Sequence, residues 1–220
     1  MTLEEMIEIA RLRSDDLVDG KLWSDLEWTE YANDAVNEAA RRSRLIADSS
    51  TAAVCQIALN ATDTTYALHD SIIFIKRAKL TGESTPMGRA HSADLDRCMP
   101  GWEDETGIPL AYVPNMDSHQ FRPYPKPDGA YTVNLSVIRT PLEPLALDAD
   151  IPEIASRHHI NLIHWMLHRA YLKLDSETYN PGKAEESLKL FEAEFGKRST
   201  AQDEAWIARE HGFTPEEGVY

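Results

Sequence analysis

The sequence has 220 residues, which predicts one domain, or one domain carrying a sizeable insertion. Lys and Arg number 22 and Asp and Glu 37, so the formal charge is −15. A chain this acidic is disfavoured as a DNA-coating or membrane-surface protein, because phosphate groups attract cations. Hydrophobic residues make up 42%, too many for a disordered chain, and they are too dispersed for a membrane protein, so we expect a soluble, globular protein.

The cysteine content and the first residues indicate the compartment. Cys55 and Cys98 are the only cysteines, so we expect buried or idle reduced thiols rather than the disulfide framework of a small secreted protein. Residues 1–5 lack the basic and apolar regions of a secretory signal peptide. Both observations favour a cytoplasmic protein.

Two helices are predicted within residues 1–50. The first ends near the Asp19–Gly20 turn, and its apolar face is formed by Leu3, Met6, Ile7 and Ala10. The second starts at Ser24 and Glu27, which have the spacing of a capping box, where hydroxyl and carboxylate each bond a backbone N–H at the helix start. Glu38 is predicted to lie away from the buried face, which comprises Trp28, Tyr31, Ala32, Ala35 and Ala39.

A small basic cluster lies at the end of the second predicted helix, at Arg41, Arg42 and Arg44. Cations at this position stabilise the negative end of the helix dipole, which is the simpler explanation. The alternative is a salt-bridge surface for a neighbouring subunit, so these arginines are candidates for inter-subunit contacts.

The apolar periodicity changes to two between about residues 50 and 140, which predicts strands. Clear alternation runs over residues 53–60 and 131–137, and further extended segments are predicted at 71–80, 110–113 and 119–124. Pro and Gly residues separate these segments. We expect about five or six strands in an antiparallel sandwich or small barrel, with one helical turn near residues 92–98.

The helical period returns after Pro144. One helix is predicted to start near Pro152, with an apolar face formed by Ile160, Ile163, Leu167, Ala170, Tyr171 and Leu174. Another runs from Pro181 to Gly196, with Ala184, Leu188, Phe191 and Phe195 on one face. A short helix after Ser199 would need a surface to dock on, because isolated helices of this length are marginal in water.

Two groups of polar residues are candidate chemical sites. Four histidines share one predicted helix, and His164 and His168 have the i, i+4 spacing that can hold a metal ion. No H-E-x-x-H motif and no third ligand accompany them, so structural or surface histidines are favoured over a metal site; the other two are His158 and His159. The carboxylates at 103–105 fit a solvated acidic turn better than an acid–base pair.

Familiar catalytic motifs are missing from the sequence. It contains no G-x-G-x-x-G, no G-x-x-x-x-G-K-[ST] and no G-x-S-x-G. We therefore assign no catalytic, cofactor-binding or metal-binding residue. The absence of these motifs does not exclude an enzyme, so the residues alone leave open a structural assembly protein, a carboxylate- or histidine-dependent hydrolase and a regulatory binding module without enzymatic activity.

The order of several local segments resembles the head-tail adaptor (connector) proteins of tailed bacteriophages. The N-terminal helix pair carries part of this resemblance, at residues 22–25 and 31–42. The remainder follows in the same order, at 100–102, 104–109, 122–125, 170–173, 179–184 and 191–196. The resemblance covers most of residues 1–197.

The resemblance implies an α+β fold in which N- and C-terminal helices form a bundle interrupted by a β-rich, sandwich- or barrel-like insertion. The implied segments are bundle helices at 1–50, the insertion at 51–141, bundle helices at 142–197 and a C-terminal arm at 198–220. It also implies a structural virion protein at the capsid vertex, assembled in the host cytoplasm. A ring of such chains, typically about twelve, would join the portal to the next tail, stopper or nozzle protein.

The C-terminal arm is the candidate for portal docking, with large apolar residues as anchors: Trp206, Ile207, Phe213 and Tyr220. The genome would pass through the ring without sequence-specific binding. Twelve copies would carry 12 × −15 = −180 formal charges, and we expect carboxylates facing the channel to keep DNA from adhering.

Overall fold

The computed structural model describes residues 1–17, 22–115, 119–175 and 177–198, and it confirms an α+β fold. The chain divides into two compact units. The first, here called the helical unit, comprises residues 1–46 and 140–198; the second, the β unit, comprises residues 47–139.

The helical unit contains four helices: α1 (Leu3–Ser14), α2 (Asp25–Ser43), α5 (His159–Tyr171) and α6 (Pro181–Phe195). Helices α1, α2 and α6 all contact α5. The indole of Trp23, just before α2, donates to the carbonyl of Ala170 near the end of α5 (3.0 Å). The hydroxyl of Ser43, at the end of α2, donates to the carbonyl of Phe195 at the end of α6 (2.8 Å).

Local sequence signals set most helix ends. The predicted capping box of Ser24 and Glu27 is present, and Thr2 and Glu5 form a second one at the start of α1. Gly196 ends α6 at a φ of 80°, as predicted. The expected end of α1 near residues 19–20 is wrong, because Asp15 takes the left-handed conformation and stops the helix at Ser14.

The core of the helical unit is aromatic and alanine-rich. Trp23 and Trp28 are almost fully buried, with ring centroids 5.5 Å apart, and small alanines of α2 allow close helix packing. Two residues predicted in the apolar face, Ile160 and Leu174, are instead exposed. Glu38, predicted to lie away from the buried face, is buried because its carboxylate pairs with Arg42 inside the bundle.

Helix α5 begins later than the sequence predicts. Pro152 lies in a loop, and a 3-10 turn at Ser156–His158 precedes the helix. Ala155 has a ψ of 136°, which is incompatible with a helical residue. The carbonyl of Ile154 accepts a hydrogen bond from the His159 ring (2.8 Å), so the segment before α5 is fixed by side-chain bonding.

The β unit is built around one long strand. Its elements, in chain order, are β1 (Ile46–Asp48), α3 (Ala52–Cys55), β2 (Gln56–Leu59), β3 (Tyr66–Ala67), β4 (Ile72–Leu80), β5 (Gly88–Arg89), α4 (Ser92–Cys98), β6 (Thr106–Gly107), β7 (Ala111–Asn115), β8 (Gln120–Tyr124), β9 (Lys126–Pro127) and β10 (Tyr131–Arg139). Strand β10 pairs with β1, β2 and β4. A second sheet has the order β3-β8-β7-β5, and β6 pairs with β9.

Three details differ from the predicted β region. Residues 52–55 form the helical turn α3 instead of the start of a strand, because the N–H groups of Val54 and Cys55 bond the carbonyl of Thr51. The described part of the chain contains ten strands, several of only two residues, and not five or six. The β5–β7 and β6–β9 pairs are parallel, whereas antiparallel pairing was expected. The predicted turn near residues 92–98 is present as α4.

Candidate assembly surfaces

One end of the helical unit, here called the loop end, is formed by the α1–α2 and α5–α6 connections. The buried Arg11 guanidinium pairs with Asp16, donates to the carbonyl of Trp23 (3.0 Å) and pairs with Asp25 (2.6 Å). The carboxylate of Asp16 also accepts from the N–H of Leu22 (2.8 Å). These contacts fix the described ends of the α1–α2 connection.

The second connection is tied to the first. The ammonium of Lys173 donates to the carbonyl of Leu22 (3.0 Å) and pairs with Glu27 (2.8 Å). The hydrogen bond with Lys173 lowers the pKa of Glu27, and the bond from Ser24 lowers it further. The described parts of the two connections are therefore linked, and the loop end is one surface.

Large apolar side chains are exposed at the loop end. Leu174 is 89% exposed and Leu26 is 69% exposed, and Leu172 and Tyr179 lie nearby on the α5–α6 connection. Exposed apolar side chains that are held rigidly are typical of contact surfaces between proteins. This surface is not evident from the sequence, because the helical period places Leu174 on the apolar face of α5, and only the hydrogen bonds of the loops show which residues share this end.

The predicted basic cluster divides into two kinds of residue. Arg42 has a side chain only 5% exposed, and its guanidinium pairs with Glu38 (2.9 Å) and Glu192 (3.7 Å). It also lies over the Trp165 ring, 4.8 Å from the centroid. Arg41 and Arg44 are exposed. The inter-subunit role stays a prediction, and the geometry favours Arg41 and Arg44 over Arg42 for it.

The portal-docking candidates Trp206, Ile207, Phe213 and Tyr220 lie outside the described residues, as does all of the predicted arm except Arg198.

The histidines do not converge on a common point. His158 contacts Glu194 (2.9 Å), His159 contacts the carbonyl of Ile154, and His168 contacts the carbonyl of Ala184 (2.9 Å). Burial lowers the pKa of His164, and the charge of Arg13 lowers it further. Within the described ranges, no group of three or more His, Cys, Asp or Glu residues is arranged to hold a metal ion.

The acidic turn also has structural partners. Glu103 pairs with Arg122 (2.8 Å), whose guanidinium lies 4.4 Å from the centroid of the Trp102 ring. Glu105 accepts a hydrogen bond from the hydroxyl of Tyr124 (2.7 Å). Burial and this bond raise the pKa of Tyr124 to about 12. The arrangement anchors a surface turn and does not resemble an acid–base pair.

A buried ion pair joins the two ends of the β unit. The Arg139 guanidinium donates to Asp48 (2.7 Å), and both side chains are about 5% exposed. Burial alone would raise the pKa of Asp48, but hydrogen bonds from Ser50, Thr51 and Arg139 outweigh it and lower the pKa. This pair has no signal in the sequence, since its members lie 91 positions apart.

A small cleft lies in the helical unit between α2 and the segment at residues 141–153. Its volume is about 180 Å³, below the size usual for small-molecule sites. The residues around it include Asn33 and Leu145, which bond each other through the Asn33 amide and the Leu145 backbone (2.7 and 2.9 Å). The contact attaches the returning chain to α2.

No helix in the part of the chain that the structure describes combines the length and the apolar character needed to cross a membrane.

A protein-family model described as SU10 adaptor protein matches residues 1–211, almost the whole chain. A search of curated proteins found no match.

Proposed function

We infer the function from one premise: the chain belongs to the SU10 adaptor protein family of phage head-tail adaptors, and it is a structural phage adaptor protein. The family match over residues 1–211 is the observation that carries the proposal. A structural role also fits the candidate chemical residues, whose described contacts are those of packing and turn formation.

We propose that about twelve copies form a ring that joins the portal at the capsid vertex to the next tail component. The braced helical unit supports this role, because a connector must transmit force between two assemblies without deforming. Its loop end offers exposed apolar side chains on a fixed backbone, which suits contact with a neighbouring virion component.

The C-terminal arm is proposed to attach the adaptor to the portal. Residues 199–220 contain the apolar candidates Trp206, Ile207, Phe213 and Tyr220, and the family match extends over the first two of these. Apolar anchors on a terminal segment gain contact area without disturbing the core of the protein that carries them.

The central channel of the ring is proposed to carry the packaged genome. With a formal charge of −15 per chain, a channel lined partly by carboxylates would repel phosphate groups and let DNA slide. Changing channel-facing Asp and Glu residues to Lys should slow or truncate ejection from assembled particles. Unaltered ejection in such particles would count against this part of the proposal.

Electron microscopy of the full chain mixed with purified portal protein of the same phage tests the ring. A coaxial ring on the portal is the expected result. A chain shortened to residues 1–197 should keep its fold, measured as a cooperative thermal melt, and lose portal attachment, and the full chain is the matched control. Normal recruitment of the truncated chain to the portal would refute the role of the arm, and a free protomer turning over a substrate would favour an enzyme.

A further inference from the structure

Strand β4 carries three cations and no acidic residue, although the protein as a whole is acidic. Lys76, Arg77 and Lys79 lie within Ile72–Leu80, a strand that contains no Asp or Glu. Lys76 and Arg77 are exposed and Lys79 is half-buried. We call these three residues the basic strand face.

The residues paired with this face are neutral. In the β4–β10 register, Arg77 lies opposite Ser136 and Lys79 opposite Asn134, while Lys76 sits at a bulge. Within the described ranges, none of the three cations forms an ion pair, whereas three arginines elsewhere in the β unit do: Arg97, Arg122 and Arg139. A fourth cation, Arg89, contacts the same strand, since its guanidinium lies 5.2 Å from the centroid of the Phe74 ring on β4.

Protection of a sheet edge explains only part of this arrangement. Edge strands commonly carry a lysine or a bulge that prevents pairing with another chain, and Lys76 serves that purpose. Arg77 and Lys79 are in register with β10, so they project from the sheet face and not from its edge. Unpaired cations on a face match an external surface of opposite charge.

The helical unit carries that opposite charge. Residues 1–46 and 140–198 contain 21 Asp and Glu against 13 Lys and Arg, a formal charge of −8. Its exposed carboxylates include Glu4 and Glu8 on α1 and Glu186 on α6. A nucleic acid is the less suitable occupant, because the chain as a whole carries −15 and repels phosphate groups.

We propose that the basic strand face binds the acidic helical unit of a second copy of this chain. Such a contact is head-to-tail, so each copy gives one surface and receives the other, which is the arrangement that closes a ring. The inference rests on the proposed ring and names the surface that holds its subunits together. It also explains how chains of strongly negative charge associate.

The test uses the full chain with purified portal protein and compares two variants of equal charge. The first changes the two cations of the face that are in register with β10, through Arg77→Glu and Lys79→Glu. The control changes two cations of the β unit outside the face, one exposed and one half-buried as in the first variant, through Arg97→Glu and Lys126→Glu. Circular dichroism and thermal melting establish that both fold, and electron microscopy counts the copies on each portal.

The face variant should lower the affinity between subunits by about tenfold to a hundredfold and leave portals partly occupied, whereas the control should give closed rings. Mixed with the unchanged chain, the face variant should also block ring closure in proportion to its amount, because it keeps only one of the two surfaces. Raising the salt concentration should weaken ring closure of the unchanged chain by screening.

Closed rings from the face variant would overturn the inference and leave the proposed function standing. If the unchanged chain binds DNA, and the face variant forms closed rings but no longer binds DNA, the inference is likewise overturned and the face is assigned to nucleic acid. If the unchanged chain fails to bind the portal at all, the proposed function fails and this inference fails with it.

Discussion

Replacing Arg42 by methionine is expected to destabilise the helical unit by about 3 kcal/mol, because the change leaves a buried carboxylate without its partner. Glu38 has a side chain only 10% exposed, and Arg42 is its ion-pair partner at 2.9 Å. Removing one member of a buried pair costs about 3–5 kcal/mol, and the lower value applies here since Glu192, the second partner, is 26% exposed. Methionine retains apolar contact with the Trp165 ring.

Equilibrium urea unfolding followed by tryptophan fluorescence measures this change, since Trp23, Trp28 and Trp165 all lie in the helical unit. The exposed Arg41→Met provides the control and should alter the free energy of unfolding by less than about 0.5 kcal/mol. Combining Arg42→Met with Glu38→Met should restore stability to within about 1 kcal/mol of the unchanged chain, because no buried charge is left without a partner.

Two results would refute this reasoning. A loss below about 1 kcal/mol for Arg42→Met would show that the guanidinium is not holding a buried charge. A double variant as unstable as the single one would show that the loss comes from packing and not from the stranded carboxylate of Glu38.

Three further outcomes are expected. Asp48→Asn should destabilise the β unit by about 3 kcal/mol at pH 7, because it removes the carboxylate that pairs with the buried guanidinium of Arg139. Since folding lowers the pKa of Asp48, this contribution is present above about pH 4 and is lost as the pH falls, so the difference from the unchanged chain should shrink in acid melts, and a constant difference would contradict it. Ser24→Ala removes a capping hydroxyl and should cost about 1 kcal/mol in urea unfolding, whereas a neutral result would mean that the box does not stabilise α2. Asn33→Ala deletes two hydrogen bonds to the backbone of Leu145 and should lower the free energy of unfolding by about 2 kcal/mol, with faster amide exchange at Leu145 than in the unchanged chain; unchanged exchange would be the contrary finding.

Features encoded within a few residues were predictable from the sequence. The start of α2 follows from Ser24 and Glu27, and the end of α6 follows from Gly196, because caps depend on local bonding. The strand at residues 131–137 follows from strict alternation. The resemblance to head-tail adaptors, based on segments spread along the chain, is confirmed by the family match.

Features that depend on distant partners were not predictable. Glu38 follows the polar pattern of an exposed helix residue, and its burial depends on the distant Trp165 and Glu192, which contact the guanidinium of its partner Arg42. The pairing of Asp48 with Arg139 spans 91 positions and has no local signal. For the candidate surfaces, exposure of Leu174 depends on where α5 stops, which periodicity alone does not define.

The ion pair of Asp48 and Arg139 links the two strands through which the chain enters and leaves the β unit. Strand β1 is the first strand of this unit and β10 is the last, and the two are neighbours in one sheet. The loops between β1 and β10 can therefore change in length or sequence while the points where the chain enters and leaves the β unit keep their spacing. The contact surfaces of the β unit can then diverge in evolution without changes in the helices.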